Sequence, residues 1–198
     1  MNKKLKIGIM GKMGAGKTTL AKEFQNQYPY FKKFAFGDNV KKIARMLYGM
    51  EGKERPLLQK IDTALRTVDT DAWVNSILTR CKQDSFVIVD DVRYVNEAFA
   101  LQNEGFILIF IDVDKTTQYN RLCETYPDAV QNHIAYKDHE SEQQTDFLFK
   151  IAHCIMPGSA NVVDFVTFFL KEHLIMSLIN IIRFRRKTLT NTYASTEH

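Results

Sequence analysis

Apolar and polar positions fall into blocks along this chain, and the blocks change period as they go. Short, nearly continuous apolar runs of strand length occupy residues 5–10, 31–36, 86–89, 106–113 and 151–156. Between them lie longer stretches in which apolar residues recur at helical spacing. These run from the end of a glycine-rich stretch to about Tyr28, over 38–48, from Pro56 to about Val68, and over 71–82, 96–104 and 115–124. Gly49 and Gly52 interrupt the helical pattern, Pro157-Gly158 closes the fifth apolar run, and a further helix starts near Asn161. Apolar runs without alternation are the mark of strands covered on both faces, and helices between them supply the crossovers of a parallel sheet. The pattern predicts an α/β fold, with a five-stranded parallel sheet and helices on both faces, in a single domain over 1–198.

The first strand runs into Gly11-Lys12-Met13-Gly14-Ala15-Gly16-Lys17-Thr18-Thr19, and a helix follows at once. Strand, glycine-rich loop and helix in that order form a phosphate-binding loop. Glycines let backbone N–H groups wrap a polyphosphate, and the helix N-terminus adds positive potential. Gly11, Gly14, Ala15, Gly16, Lys17, Thr18 and Thr19 are therefore the expected ATP site. Lys17 reaches the β- and γ-phosphates and the Thr18 hydroxyl holds Mg²⁺. The expected fold is the three-layer P-loop kinase type with a lid segment.

Composition narrows the partners. The chain has 198 residues and a formal charge of +4, enough for an anionic small molecule and too little to argue for nucleic acid. Its three cysteines, Cys81, Cys123 and Cys154, are far apart and match no metal-ligand spacing. With no leader at the start, they suggest a reducing cytoplasm. The apolar stretch 162–184 is broken by Asp164, Lys171, Glu172 and His173, so it does not read as a membrane span. Arg183, Arg185, Arg186 and Lys187 open a basic tail over 183–198, expected to be solvated, and an apolar face before it offers a surface for a homodimer.

The third strand, Phe86-Val87-Ile88-Val89, ends in Asp90-Asp91. A hydrophobic strand ending in carboxylates, downstream of a phosphate loop, is the Walker B pattern, in which one aspartate holds Mg²⁺. Both aspartates qualify on sequence. Arg93 follows at the edge where α/β sheets bind ligands, positioned to orient the aspartates or to grip a transferring phosphoryl group.

Several segments then resemble one family. They are Phe34-Ala35-Phe36-Gly37-Asp38-Asn39-Val40-Lys41, Leu65-Arg66 with Asp71-Ala72-Trp73, and Asp90-Asp91-Val92-Arg93-Tyr94-Val95-Asn96-Glu97. They look like the phage-type deoxynucleoside monophosphate kinases, and His139-Glu140-Ser141-Glu142 is similar to a segment those enzymes carry after their lid. The resemblance covers the chain from the first strand to about Gly158. It departs at Gly37, where an Ala-Asp junction is more typical, and in the basic tail. It implies transfer of the ATP γ-phosphate to a deoxynucleoside 5′-monophosphate with Mg²⁺. It also implies a monophosphate-binding region at about 37–82, with Asp38, Lys41, Arg45, Arg66, Trp73 and Arg93 near the acceptor. A lid at about 121–142 would carry Arg121, and Lys17, Arg93 and Arg121 would be the catalytic cations.

The chemistry of that reaction suits the residues. A nucleoside monophosphate has a second pKa near ~6, so its phosphate is mostly dianionic at neutral pH and needs no general base. The task is to bring two polyanions together, which calls for Mg²⁺, Lys17 and several arginines. Bland roles compete at each position. Lys41 and Arg45 share a helix face that is equally suited to solvent. Trp73 either stacks on a base or fills the core. Asp69 and Asp71 frame a turn ahead of the Trp73 helix. Two other functions stay open. A hydroxyl-acceptor kinase, of which dephospho-coenzyme A kinase is an example, needs a base, and Asp38 would serve. A non-enzymatic nucleotide switch is disfavoured, because no guanine-reading Asn-Lys-x-Asp string occurs.

Overall fold

The computed structural model describes residues 4–52, 54–125 and 144–175. Among them, one parallel sheet is built from β1 (Leu5–Met10), β2 (Lys32–Phe34), β3 (Phe86–Val92), β4 (Ile107–Asp112) and β5 (Cys154–Pro157), in the order β2-β3-β1-β4-β5. The helices are α1 (Lys17–Gln27), α2 (Gly37–Tyr48), α3 (Arg55–Val68), α4 (Ala72–Cys81), α5 (Val95–Asn103), α6 (Lys115–Thr125), α7 (Thr145–Ile151) and α8 (Val162–Leu170). Because the side-chain period of a strand is two, β1 sends Ile7 and Ile9 to one face and Met10 to the other. The first face packs on Leu20, Ala21 and Phe24 of α1 and on Val166 and Phe169 of α8. The second packs on Val40 and Ala44 of α2, Val74 and Ile77 of α4, and Ala98 and Leu101 of α5. The predicted three layers are thus present.

Phe24 anchors the first layer. It is fully buried and meets Phe31 and Phe169 edge-on, with ring centroids 5.8 and 5.4 Å away. On the opposite face, Gly8 lets β1 and its neighbours close up, since a Cβ there would lie 2.8 Å from Leu108 Cδ2.

Three boundaries differ from the sequence pattern. The fifth strand starts at Cys154 rather than at 151, because Thr145–Ile151 is a helix whose Leu148 is buried. A short apolar run does not by itself separate strand from helix end. The second strand stops at Phe34, because the chain turns into α2 at Gly37. The third strand continues through both aspartates to Val92. There the register of β3 on β1 slips, with Gly8 opposite Val89 but Met10 opposite Val92. Asp90 and Asp91 thus face the single residue Ile9, as in a β-bulge, a device that re-aims side chains. No helix among the described residues is long and apolar enough to cross a membrane. Most of the predicted lid, with His139, Glu140 and Glu142, lies outside the described residues, as does the basic tail.

Candidate active site

The carboxyl ends of β1, β2 and β3 face one cavity of about 420 Å³. β1 and β3 are neighbours, so the phosphate loop that follows one and the carboxylates that end the other come together, at the edge where α/β sheets bind ligands. Lys17, Thr18, Asp38, Lys41, Arg66, Asp90, Asp91 and Arg93, all expected site residues, line it.

The loop between β1 and α1 has the backbone its glycines permit. Gly11 has φ 140°, and a Cβ there would lie 2.9 Å from the Ile111 carbonyl oxygen. Gly16 has φ 102° and stands directly before α1, whose start carries no side-chain cap. An uncapped helix start of this kind presents N–H donors to an anion. The Lys17 ammonium donates to the carbonyls of Gly11 and Lys12 at 2.6 and 2.8 Å, which holds it over the loop it serves.

The two aspartates have different surroundings. Asp91 accepts from the backbone N–H groups of Phe36 and Gly37, both at 2.8 Å, so its carboxylate ties the end of β3 to the start of α2. This also accounts for Gly37, where a Cβ would sit only 3.3 Å from Asp91 Oδ2. Desolvation pushes the Asp91 carboxyl above the ordinary range, with the two N–H donors opposing. Asp90 is 4% exposed and accepts from the Lys33 ammonium at 3.0 Å. Thr18 and Asp90 supply hard oxygen donors to the same cavity. That set fits Mg²⁺, which takes one or two protein oxygens and fills its octahedron with water and phosphate. Among the described residues, no cluster of His, Cys, Asp and Glu is built to hold a metal by itself.

Beyond the aspartates, the wall is a polar network that the sequence did not reveal. Arg66 donates to Asp62 at 3.1 Å and to Glu97 at 2.5 Å, and its guanidinium lies 3.7 Å from the centre of the Tyr94 ring. The Tyr94 hydroxyl donates to Asp62 at 3.2 Å. Glu97, 1% exposed, also accepts from the backbone N–H groups of Arg93 and Tyr94. Burial lifts its carboxyl to about 7, against the pull of Arg66 and the Arg93 N–H. Burial alone would lower the Arg66 pKa, but Glu97 and Asp62 more than offset it and raise the value. Arg66 therefore reaches the cavity with its fork already holding two carboxylates.

Other expected residues are placed differently. Trp73 is 4% exposed in the core of the α2–α4–α5 face and does not line the cavity, which places it in the packing role rather than at a base. Arg45 is exposed, one turn beyond Lys41 on α2, and is not among the lining residues. Arg121 also lies outside the lining. It donates to the carbonyls of Ala15 and Gly158, both at 2.9 Å, and so braces the phosphate loop against the end of β5. Lys41 pairs with Asp38 at 3.2 Å on the first turns of α2. Lys33, Asp62, Tyr94 and Glu97 join the lining unexpectedly, and Arg55, an arginine of a segment expected to border the site but equally suited to the surface, lines it too. Two signals for them were available. Lys33 is a charge within a short strand, and Glu97 closes the Asp-Asp-Val-Arg…Asn-Glu stretch. The Asn96 of that stretch has a structural role, donating to Thr70 O and Asp71 Oδ1 at the turn before α4.

Residues 7–144 match a family model described as an AAA domain. No curated protein matches the sequence significantly. Solved structures share the fold over nearly their whole length. A gluconokinase from Sinorhizobium meliloti 1021 is 14% identical with a TM-score of 0.52, covering 92% of this chain and 99% of that one. A shikimate kinase from Bacteroides thetaiotaomicron is 15% identical with a TM-score of 0.54, covering 86% and 98%. A shikimate kinase from Acinetobacter baumannii, in complex with shikimate, is 18% identical with a TM-score of 0.50, covering 88% and 94%. At such identities the likeness concerns the fold, which is that of the P-loop kinases.

Proposed function

The chain belongs to the AAA-domain family whose model it matches, and we propose that within it the protein is a kinase transferring the γ-phosphate of ATP to a deoxynucleoside 5′-monophosphate. The observation that carries this reading is the composition of the cavity at the carboxyl ends of β1, β2 and β3. Lys17 and Thr18 stand on its donor side, and Lys33, Lys41, Arg55, Arg66 and Arg93 line its remaining wall. The lining also carries Asp38, Asp62, Asp90, Asp91 and Glu97, so the cations only just outnumber the carboxylates. What favours a second phosphate as acceptor is that Arg55 and Arg93 bring guanidinium forks, the group that grips phosphate best.

The acceptor phosphate, already dianionic, attacks the γ-phosphorus. The bond from that phosphorus to the β–γ bridging oxygen breaks, and ADP leaves with the electron pair. Lys17 follows the charge that develops on the β- and γ-oxygens. Arg93, Lys41 and Arg55 hold the acceptor phosphate in line, where fixed orientation supplies much of the rate. Thr18 and Asp90 would hold Mg²⁺, which when bound neutralises charge on the polyphosphate. Arg121 acts through the loop by fixing the Ala15 carbonyl, and so is a positioning residue in this scheme. The Asp62–Arg66–Glu97–Tyr94 network supports the wall facing the nucleoside.

A second reading has its own support. The structural neighbours are named as kinases of gluconate and shikimate, which are hydroxy acids. A hydroxyl acceptor must lose a proton, and Asp38, half-exposed in the cavity wall, would accept it. The two readings separate in one assay of ADP formation from ATP and Mg²⁺. The acceptors are dGMP, dTMP, dCMP, dAMP and their ribose counterparts, beside dephospho-coenzyme A, gluconate and shikimate. Turnover with deoxynucleotides supports the proposal. Turnover confined to the hydroxylated compounds overturns it and makes Asp38 the base.

A further inference from the structure

The Lys33–Asp90 pair stands apart from the other ion pairs of the cavity, because it engages the carboxylate that, with Thr18, fits Mg²⁺. Asp91 is committed to the backbone N–H groups of Phe36 and Gly37. Asp90 is almost wholly buried, and Lys33 Nζ is 3.0 Å from its Oδ2. The sheet register enforces the meeting. Lys33 on β2 pairs with Ile88 on β3, and Asp90 stands two residues further on the same face. Its neighbour Lys32 points the other way and pairs with Asp84. A carboxylate this deeply buried is costly when left without a cation. Lys33 keeps a third of its side chain exposed, and its flexible four-carbon stem allows the ammonium to withdraw without moving the strand.

We propose that Lys33 is a built-in counter-cation for Asp90, one that a divalent metal must displace, so that the metal enters with the nucleotide rather than alone. This inference rests on the Mg²⁺–ATP reading of the cavity and names a residue that sets its metal affinity. Lone Mg²⁺ competes with a tethered ammonium for a single carboxylate. Mg²⁺ brought by ATP arrives with phosphate oxygens already in its shell and needs less from Asp90.

The test is Mn²⁺ binding, read from the electron paramagnetic resonance of the free ion, with and without a non-hydrolysable ATP analogue. Lys33→Met removes the competing charge and should tighten Mn²⁺ binding by roughly two- to fivefold, the factor a partly exposed ion pair contributes. Lys33→Gln should tighten it similarly, which keeps the test open if the methionine variant folds poorly, and Lys33→Arg should remain near wild type. In an Asp90→Asn background, Lys33→Met should change nothing. Unchanged or weaker binding in both neutral variants, or a shift that persists without Asp90, overturns the inference. Failure of wild type to bind the ATP analogue would instead sink the kinase reading, so the two failures are distinct.

Discussion

Glu97 offers a direct measurement of how strongly burial dominates the wall of the cavity. Its carboxyl rises from an ordinary 4.5 to about 7, because desolvation outweighs the pull of Arg66 and of the Arg93 N–H. A folded pKa above the unfolded one means that the fold prefers the neutral acid. The resulting stabilisation is complete below pH 4.5 and is lost as the pH rises through about 7. At about 1.4 kcal/mol per pKa unit, the linkage accumulated between pH 8 and pH 5 is roughly 2–3 kcal/mol. Glu97→Gln keeps the shape but does not titrate. Urea unfolding of both proteins across that range should show the wild type gaining about this much over the variant on acidification. Asp91 is also shifted upward, but both proteins carry it and its contribution cancels in the comparison. A flat difference, or one that favours the wild type as pH rises, would refute the reasoning. It would mean that the 2.5 Å contact with Arg66 and the backbone donors outweigh the cost of burial.

Three further outcomes follow from the geometry. Lys17→Ala should cut kcat by about 10²–10³-fold, because it removes a charge aimed at the transferring phosphate, while circular dichroism remains that of the wild type. Asp38→Asn should lower phosphate-acceptor activity less than tenfold, since no base is required; a general base contributes about 10²–10⁴-fold, so a loss of that size indicates a hydroxyl acceptor. Trp73→Phe should leave the acceptor KM unchanged and destabilise the fold by about 1–2 kcal/mol, because the indole fills core volume, while loss of its buried Nε1 N–H, which makes no hydrogen bond, offsets part of the cavity cost; a rise in KM measured at constant stability would return Trp73 to the site.

Much of this protein is written locally. The five apolar runs, their helical crossovers and the Gly11–Thr18 loop depend on spacing within a few residues, and local sterics and hydrophobic periodicity determine such features. Gly11 stands where a side chain would meet the Ile111 carbonyl and Gly16 where the backbone takes φ 102°, which other residues rarely adopt, and Lys17 and Thr18 follow because the helix begins there. Boundaries were less legible where two elements compete for one apolar run, as at Thr145–Ile151 and Cys154–Pro157.

The partner of each charge was decided only in three dimensions. Asp90 and Asp91 are adjacent and chemically identical. A bulge on β3 and the N–H groups at the start of α2 give one to the backbone and leave the other to Lys33. Arg66 fits a motif in sequence, yet two carboxylates from α3 and α5 hold its guanidinium. Trp73 and Arg121 lie near expected site segments but serve the core and the loop. Electrostatic pairing depends on distances between residues far apart in the chain and on how much water is excluded around them, and neither quantity has a local signature.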